Sequence, residues 1–103
     1  NIMIRVVLTK ISRFASLTDA FIQRFLHLEE YEIYQNITNE KQKQIFLAKI
    51  WAIKEAIFKS DNSYSHFDQV KLDITDKGVK HPNFWISISH EEDFLVAFVM
   101  KKE

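Results

Sequence analysis

The apolar positions along the chain change their spacing several times, and each change marks an element. Ile2, Met3, Ile4, Val6, Val7 and Leu8 are nearly continuous, broken only by Arg5. Residues 2–8 therefore predict a first strand, buried on both faces or lying in an interface. Over residues 18–34 the apolar residues recur at helical spacing, as Phe21, Phe25, Leu28 and again as Ile22, Leu26. Thr18 or Ser16 is available as an N-cap, so this stretch predicts one helix or two short ones. Residues 36–39 are polar and turn-like. Residues 40–60 hold neither Gly nor Pro and give the longest helical pattern in the chain.

Beyond a polar loop at 61–66 the period becomes two. Val70, Leu72 and Ile74 alternate within a second predicted strand at 67–74. Asp76-Lys77-Gly78 is a turn signal and His81-Pro82-Asn83 a second break. Phe84, Ile86 and Ile88 then alternate with Trp85, Ser87 and Ser89 in a third strand that ends at His90. The acidic turn Glu91-Glu92-Asp93 leads into the apolar run 94–100, a last strand hairpinned to the third, and the tail 101–103 reads as solvated. The order predicts an α+β fold, a small antiparallel sheet with a long central helix.

Composition narrows the classes. At 103 residues the chain is expected to form one domain, 1–103, with a thin stability margin that a subunit interface would widen. The aromatic share of 14 %, nine of these residues being Phe, leaves some to face a partner. Fourteen basic residues balance fourteen acidic ones, so neither nucleic acid nor a membrane surface is expected as a partner. The absence of cysteine suits a reducing cytoplasm. No apolar run reaches the roughly 18 residues of a membrane-spanning helix. One Gly and one Pro exclude a dinucleotide fingerprint and a Walker-type phosphate loop.

Two features are out of place for a plain scaffold. Glu55 follows Trp51 and Ala52 on an otherwise apolar stripe of the long helix, one turn before Lys59. A carboxylate in dry surroundings needs a cation, a metal or hydrogen bonds, and the plainer alternative is a Glu55–Lys59 surface pair. Ser87-Ile88-Ser89-His90 closes an apolar strand where it feeds a turn, a position at which sites are built. A serine hydrolase is disfavoured, because no nucleophile-elbow glycines flank either serine and no acidic partner for His90 can be assigned.

Phe46-Leu47-Ala48-Lys49-Ile50-Trp51-Ala52-Ile53-Lys54-Glu55-Ala56-Ile57-Phe58-Lys59, followed some thirty residues later by Trp85-Ile86-Ser87-Ile88-Ser89-His90, resembles the two signature blocks of the holo-acyl-carrier-protein synthase family of 4′-phosphopantetheinyl transferases. The segment Leu8-Thr9-Lys10-Ile11-Ser12-Arg13-Phe14 is similar to the stretch after that family's first strand. The resemblance implies the corresponding fold and transfer of phosphopantetheine from coenzyme A to a serine of an acyl carrier protein, in fatty acid biosynthesis. It further implies magnesium as cofactor and a homotrimer with sites between subunits.

By the same resemblance Glu55 is a metal ligand and catalytic, Lys59 pairs with phosphate oxygens, and His90 contacts the coenzyme. Ser89 and Lys49 join them as coenzyme-binding positions, and Arg13 and Arg24 meet the acidic helix of the carrier protein. Phe21 and Phe25 either flank that contact or pack in the core. Lys54 points to another side of the helix and is assigned to positioning or an interface.

The pattern departs from the family at three places. Arg5-Val6-Val7-Leu8 stands where a G-x-D-I/L motif carries a second metal ligand, so Val7 replaces a carboxylate. Residues 60–64 lack the usual glycines, and Ile50 replaces a basic residue, with Lys49 beside it. An active but divergent enzyme and a weakened or non-catalytic homologue that binds coenzyme A or carrier protein both accommodate these changes.

Overall fold

The computed structural model describes residues 3–103. Strand β1 is Ile4–Lys10, so the strand starts and ends two residues later than the pattern suggested, and Ile2 lies outside the described residues. A 3-10 turn, Ile11–Phe14, leads to helix α1, Asp19–Phe25, and helix α2, Leu28–Gln35. The 18–34 pattern is thus two helices. Thr18 rather than Ser16 caps the first, its hydroxyl accepting from Phe21 N at 3.2 Å. His27 and Glu30 form a reciprocal cap on the second, which ends α1 and restarts the helix in a new direction.

Helix α3 is Glu40–Ser60, as the absence of Gly and Pro predicts, and Asn39 caps it by accepting from Gln42 N at 2.9 Å. Its residues Ile50, Ala52, Ile53, Ala56 and Ile57 have no exposed surface. These residues seat α3 against β1 and β5 as the centre of the core.

The predicted strand over 67–74 is corrected by the structure. Phe67–Gln69 is a 3-10 turn, and only Asp73–Thr75, strand β2, pairs, with β3 at Gly78–Lys80. A buried ion pair takes the backbone groups that a longer strand would have used. Lys54 Nζ donates to Phe67 O at 2.8 Å and to Phe25 O at 2.9 Å, and the Glu30 carboxylate accepts from Leu72 N at 2.8 Å. Gly78, at φ +113°, supplies the left-handed residue that closes the β2–β3 hairpin.

Strands β4, Phe84–Glu91, and β5, Phe94–Lys101, form a hairpin across Glu92, whose φ is 53°. The main sheet has the order β1-β5-β4 and is antiparallel throughout. Its register gives each face a defined set of rows. Arg5–Val99–Ile86, Val7–Ala97–Ile88 and Thr9–Leu95–His90 face α3, whereas Ile4–Met100–Trp85, Val6–Phe98–Ser87 and Leu8–Val96–Ser89 face outward.

The outward face is apolar and uncovered in the single chain, with Ile4 56 %, Leu8 65 % and Trp85 58 % exposed. Within the chain the first strand is therefore not buried on both faces: Val7 and Thr9 are buried and Ile4, Val6 and Leu8 are open. The tail is more engaged than its composition suggests. Lys102 lies over the Trp85 ring at 4.2 Å, and its backbone N–H donates to Asn83 O at 2.8 Å.

Candidate functional site

The predicted site residues fall into three groups on the chain. The first is a cleft of about 420 Å³ between α3, the β2–β3 hairpin and the end of β4. Lys49, Lys77 and His90 bring nitrogen donors to it, over a floor that includes Ile45, Ile88 and Leu95. Lys49 is half-buried, and burial draws its ammonium below the ordinary lysine range. Among the described residues no carboxylate pairs with it. A half-buried cation without a counter-ion, beside a second lysine and an exposed imidazole, makes the cleft receptive to an anion. Ser89 does not join this group. It is on the outward face of β4, the opposite side from His90, because adjacent strand residues point apart.

The second group is the last two turns of α3. Glu55 is half-buried and Lys59 exposed, and they are not an ion pair: the described residues form only Lys54–Glu30, Lys71–Glu29 and Lys101–Asp61 pairs. The plainer alternative weighed for Glu55 is therefore absent. Arg5 of β1 reaches this end of the helix, its Nε donating to Lys59 O at 3.3 Å. Arg5 is in register with Ile86, four residues before His90 on β4. At about 3.4 Å per residue the Lys59 end and the His90 end of the sheet are roughly 13 Å apart. One chain thus brings Lys49 to His90 and Glu55 to Lys59 but leaves the two pairs separated.

Oxygen ligands are sparse at the Glu55 end. Val7 is buried against α3 on the inner face of β1, and no cluster of three or more His, Cys, Asp or Glu suited to a metal ion forms among the described residues. Lys54, adjacent to Glu55, turns inward to Glu30 at 2.6 Å, both side chains being wholly buried. Burial pulls the Lys54 ammonium downward, and the Glu30 charge opposes this. Its role in this chain is to hold α1, α2 and the 67–72 segment onto α3.

The third group is an aromatic hollow of about 430 Å³ flanked by Arg24 and lined by Phe21, Phe25, Trp51 and Phe67. Phe25 is core, with 2 % exposure, as one of the two alternatives weighed for it held, whereas Phe21 remains 38 % exposed at the rim. Arg13 is on the neighbouring 3-10 turn, and Phe14 of that turn meets Phe25 edge-on at 6.4 Å. The turn is fixed from the β4–β5 hairpin: Ser12 donates from its N and its hydroxyl to Asp93 at 2.9 and 2.6 Å. Those bonds also hold the Asp93 carboxyl below its usual range. Arg13 Nη1 donates to Thr9 Oγ1 at 3.1 Å. Arg24 thus lines the hollow together with Asp68, while Arg13 stands on the neighbouring turn.

Lys77, Arg5 and Glu30 escaped the sequence reading. Lys77 was visible only as part of a turn, Arg5 as an interruption of a strand, and Glu30 as one of several acidic residues on an exposed helix.

Comparison with known proteins adds independent findings. Residues 6–99 match the family model described as the 4′-phosphopantetheinyl transferase superfamily. The holo-[acyl-carrier-protein] synthase of Mycoplasmopsis pulmonis is 45 % identical over 100 residues, spanning 97 % of this chain and 90 % of that protein. The enzyme of the same description from Mycoplasma mobile is 45 % identical over 101 residues, spanning 98 % and 90 %. In three dimensions the chain is similar to the crystal structure of a holo-(acyl-carrier-protein) synthase from Bacillus anthracis in complex with CoA (3′,5′-ADP). The TM-score is 0.79 at 23 % identity, covering 95 % of this chain and 93 % of that one. The Neisseria meningitidis synthase gives the same TM-score at 22 % identity, covering 97 % of each. At these identities the structures speak for the fold alone.

Proposed function

The chain belongs to the 4′-phosphopantetheinyl transferase superfamily, and on that footing we propose that it transfers 4′-phosphopantetheine from coenzyme A to a serine of an apo acyl carrier protein. It is then a holo-[acyl-carrier-protein] synthase. The observation that carries this reading is 45 % identity to two such synthases over nearly the whole chain. In the reaction the serine Oγ forms a bond to the phosphorus of the phosphopantetheine, the bond from that phosphorus to the nucleotide side breaks, and adenosine 3′,5′-bisphosphate leaves while the serine proton passes to a base. Such a transfer needs reactants held in line and charge neutralised on the phosphate oxygens.

In this reading Lys59, Lys49 and His90 supply positive charge and hydrogen bonds to the coenzyme's phosphates, whereas Ser89, on the opposite face of β4 from His90, has no part in that contact. Glu55 serves as the carboxylate of the reacting centre. Magnesium suits the chain through Glu55 as a single protein ligand, because this ion keeps several waters and accepts one or two carboxylates together with substrate phosphates. When bound it would neutralise charge on the pyrophosphate. Arg13 and Arg24, beside the aromatic hollow, would meet an acidic carrier protein in a salt-sensitive encounter.

The outward apolar face of the sheet supports a homotrimer, and the separation of Glu55 and Lys59 from Lys49 and His90 supports sites shared between copies. One continuous core from Val7 to Val99 supports a single domain over 1–103. Coenzyme A chemistry in fatty acid biosynthesis and the absence of cysteine suit the cytoplasm. No helix is long and apolar enough to cross a membrane among the described residues.

Val7 favours a second reading, a homologue that binds coenzyme A or carrier protein with weakened turnover. Intact-mass spectrometry separates the two. Apo acyl carrier protein incubated with this chain, coenzyme A and magnesium gains the mass of phosphopantetheine if the transferase reading holds. Coenzyme A binding without any mass gain favours the weakened homologue.

A further inference from the structure

The end of α3 is an unfavourable place for a phosphate. The last carbonyls of a helix carry the negative end of its macrodipole, about half an elementary charge, and they repel anions. Arg5 alters this. Its Nε donates to Lys59 O at 3.3 Å, its Nη1 to Ile4 O at 3.1 Å, and its Nη2 to Met3 Sδ at 3.7 Å. Among the described residues each terminal nitrogen keeps one further N–H without an acceptor, since a guanidinium has five.

The charge count is equally one-sided. Of the other cations at this end of the sheet, Lys101 is held by Asp61 at 2.8 Å and Lys102 lies over the Trp85 ring, and among the described residues neither Arg5 nor Lys59 is in an ion pair. Arg5 and Lys59 against the single carboxylate of Glu55 leave a net positive charge beside the helix terminus. The position that would carry a second carboxylate is the buried, uncharged Val7.

We propose that Arg5 is a positioning residue of the coenzyme site: it masks the carbonyl end of α3 and turns the Glu55–Lys59 turn into a receptor for the coenzyme's phosphates without a metal ion. This rests on the coenzyme reading above and extends it to a residue outside both signature blocks. Coenzyme A binding then draws on a permanent guanidinium in this chain, and part of its affinity survives metal chelation.

The test is calorimetric titration of coenzyme A, with a chelator present, into the wild-type chain, Arg5→Gln and Arg5→Lys. Gln keeps a donor for the Lys59 carbonyl and loses the charge, while Lys keeps the charge. The expected result is binding by the wild type, a loss of about tenfold or more in Arg5→Gln with a flatter salt dependence, and recovery to within about threefold in Arg5→Lys. Equal affinity and equal salt dependence of Arg5→Gln and wild type would overturn the inference alone. Equal losses in both variants, tracking a common fall in melting temperature, would reduce Arg5 to a helix cap and also overturn it. If the wild type binds no coenzyme A either with chelator or with magnesium, the coenzyme reading falls and the inference with it; binding that requires magnesium overturns only the inference.

Discussion

Lys54 and Glu30 meet at 2.6 Å with 0 % and 1 % of their side chains exposed, and between them they satisfy backbone groups of three other segments. Removing one partner strands a buried charge, which costs about 3–5 kcal/mol in comparable pairs. Lys54→Met and Glu30→Gln are each expected to destabilise the fold by this order. The double variant should lose less than the two single losses combined, because neither charge remains. Chemical denaturation of the three proteins measures this, and additive losses would show that the two residues act independently.

Glu55→Gln is nearly isosteric and removes no ion pair among the described residues. It is expected to lower phosphopantetheine transfer by about a hundredfold or more while melting temperature and assembly stay unchanged. Turnover at the wild-type rate, followed by mass spectrometry, would take Glu55 out of the chemistry.

The outward rows of the sheet yield a prediction about assembly. Val6 and Phe98 are directly opposite each other, 49 % and 47 % exposed. If copies meet there, Val6→Asp places a charge in a desolvated contact and should convert the oligomer to monomer in light scattering. An unchanged mass would move the interface elsewhere.

Acid sensitivity is expected at Asp61. Hydrogen bonds from Lys101 and from the hydroxyl and N–H of Ser63 hold its carboxyl well below the usual carboxylate range. A depressed folded-state value means that the stabilisation is present above the unfolded value, about 3.9, and is lost as pH falls through the folded one. Asp61→Asn should therefore lower stability at neutral pH and flatten its decline in acid. Equilibrium unfolding from pH 7 to pH 2 measures both, and parallel curves for the two proteins would refute the assignment.

The legible parts of this fold are those governed by local chemistry. Residues 40–60 announce a helix through a long apolar pattern with neither Gly nor Pro, and the two-residue alternation of 84–89 gives both the strand and its inward face. The stretch 67–74 misled because its alternation is real but its backbone is occupied by Lys54 and Glu30, residues 13 and 42 positions away from the groups they bind. Nothing on α2 distinguishes Glu30 from Glu29 or Glu32 until α3 is laid against it.

The candidate site divides in the same way. Glu55, Lys59 and His90 could be named from their blocks. The cleft that joins Lys49 to His90 exists only because the short β2–β3 hairpin folds beside them, and its own signal was a single turn. Ser89 was grouped with His90 through the signature block they share, whereas the pleat puts one side chain on each face.

The central strand of the sheet is β5, and both of its neighbours, β1 and β4, precede it in the chain. During biosynthesis β1 emerges before β4 and β5 and waits until residues 94–101 have been made before its partner strand can pair with it. Through that interval Ile4, Val6 and Leu8 form a bare, sticky segment on the nascent polypeptide, and closing the sheet requires the longest-range contact in the molecule. Such late closure is slow and exposes the chain to premature association, so the yield of this protein in a cell depends on what shields β1 before β5 arrives.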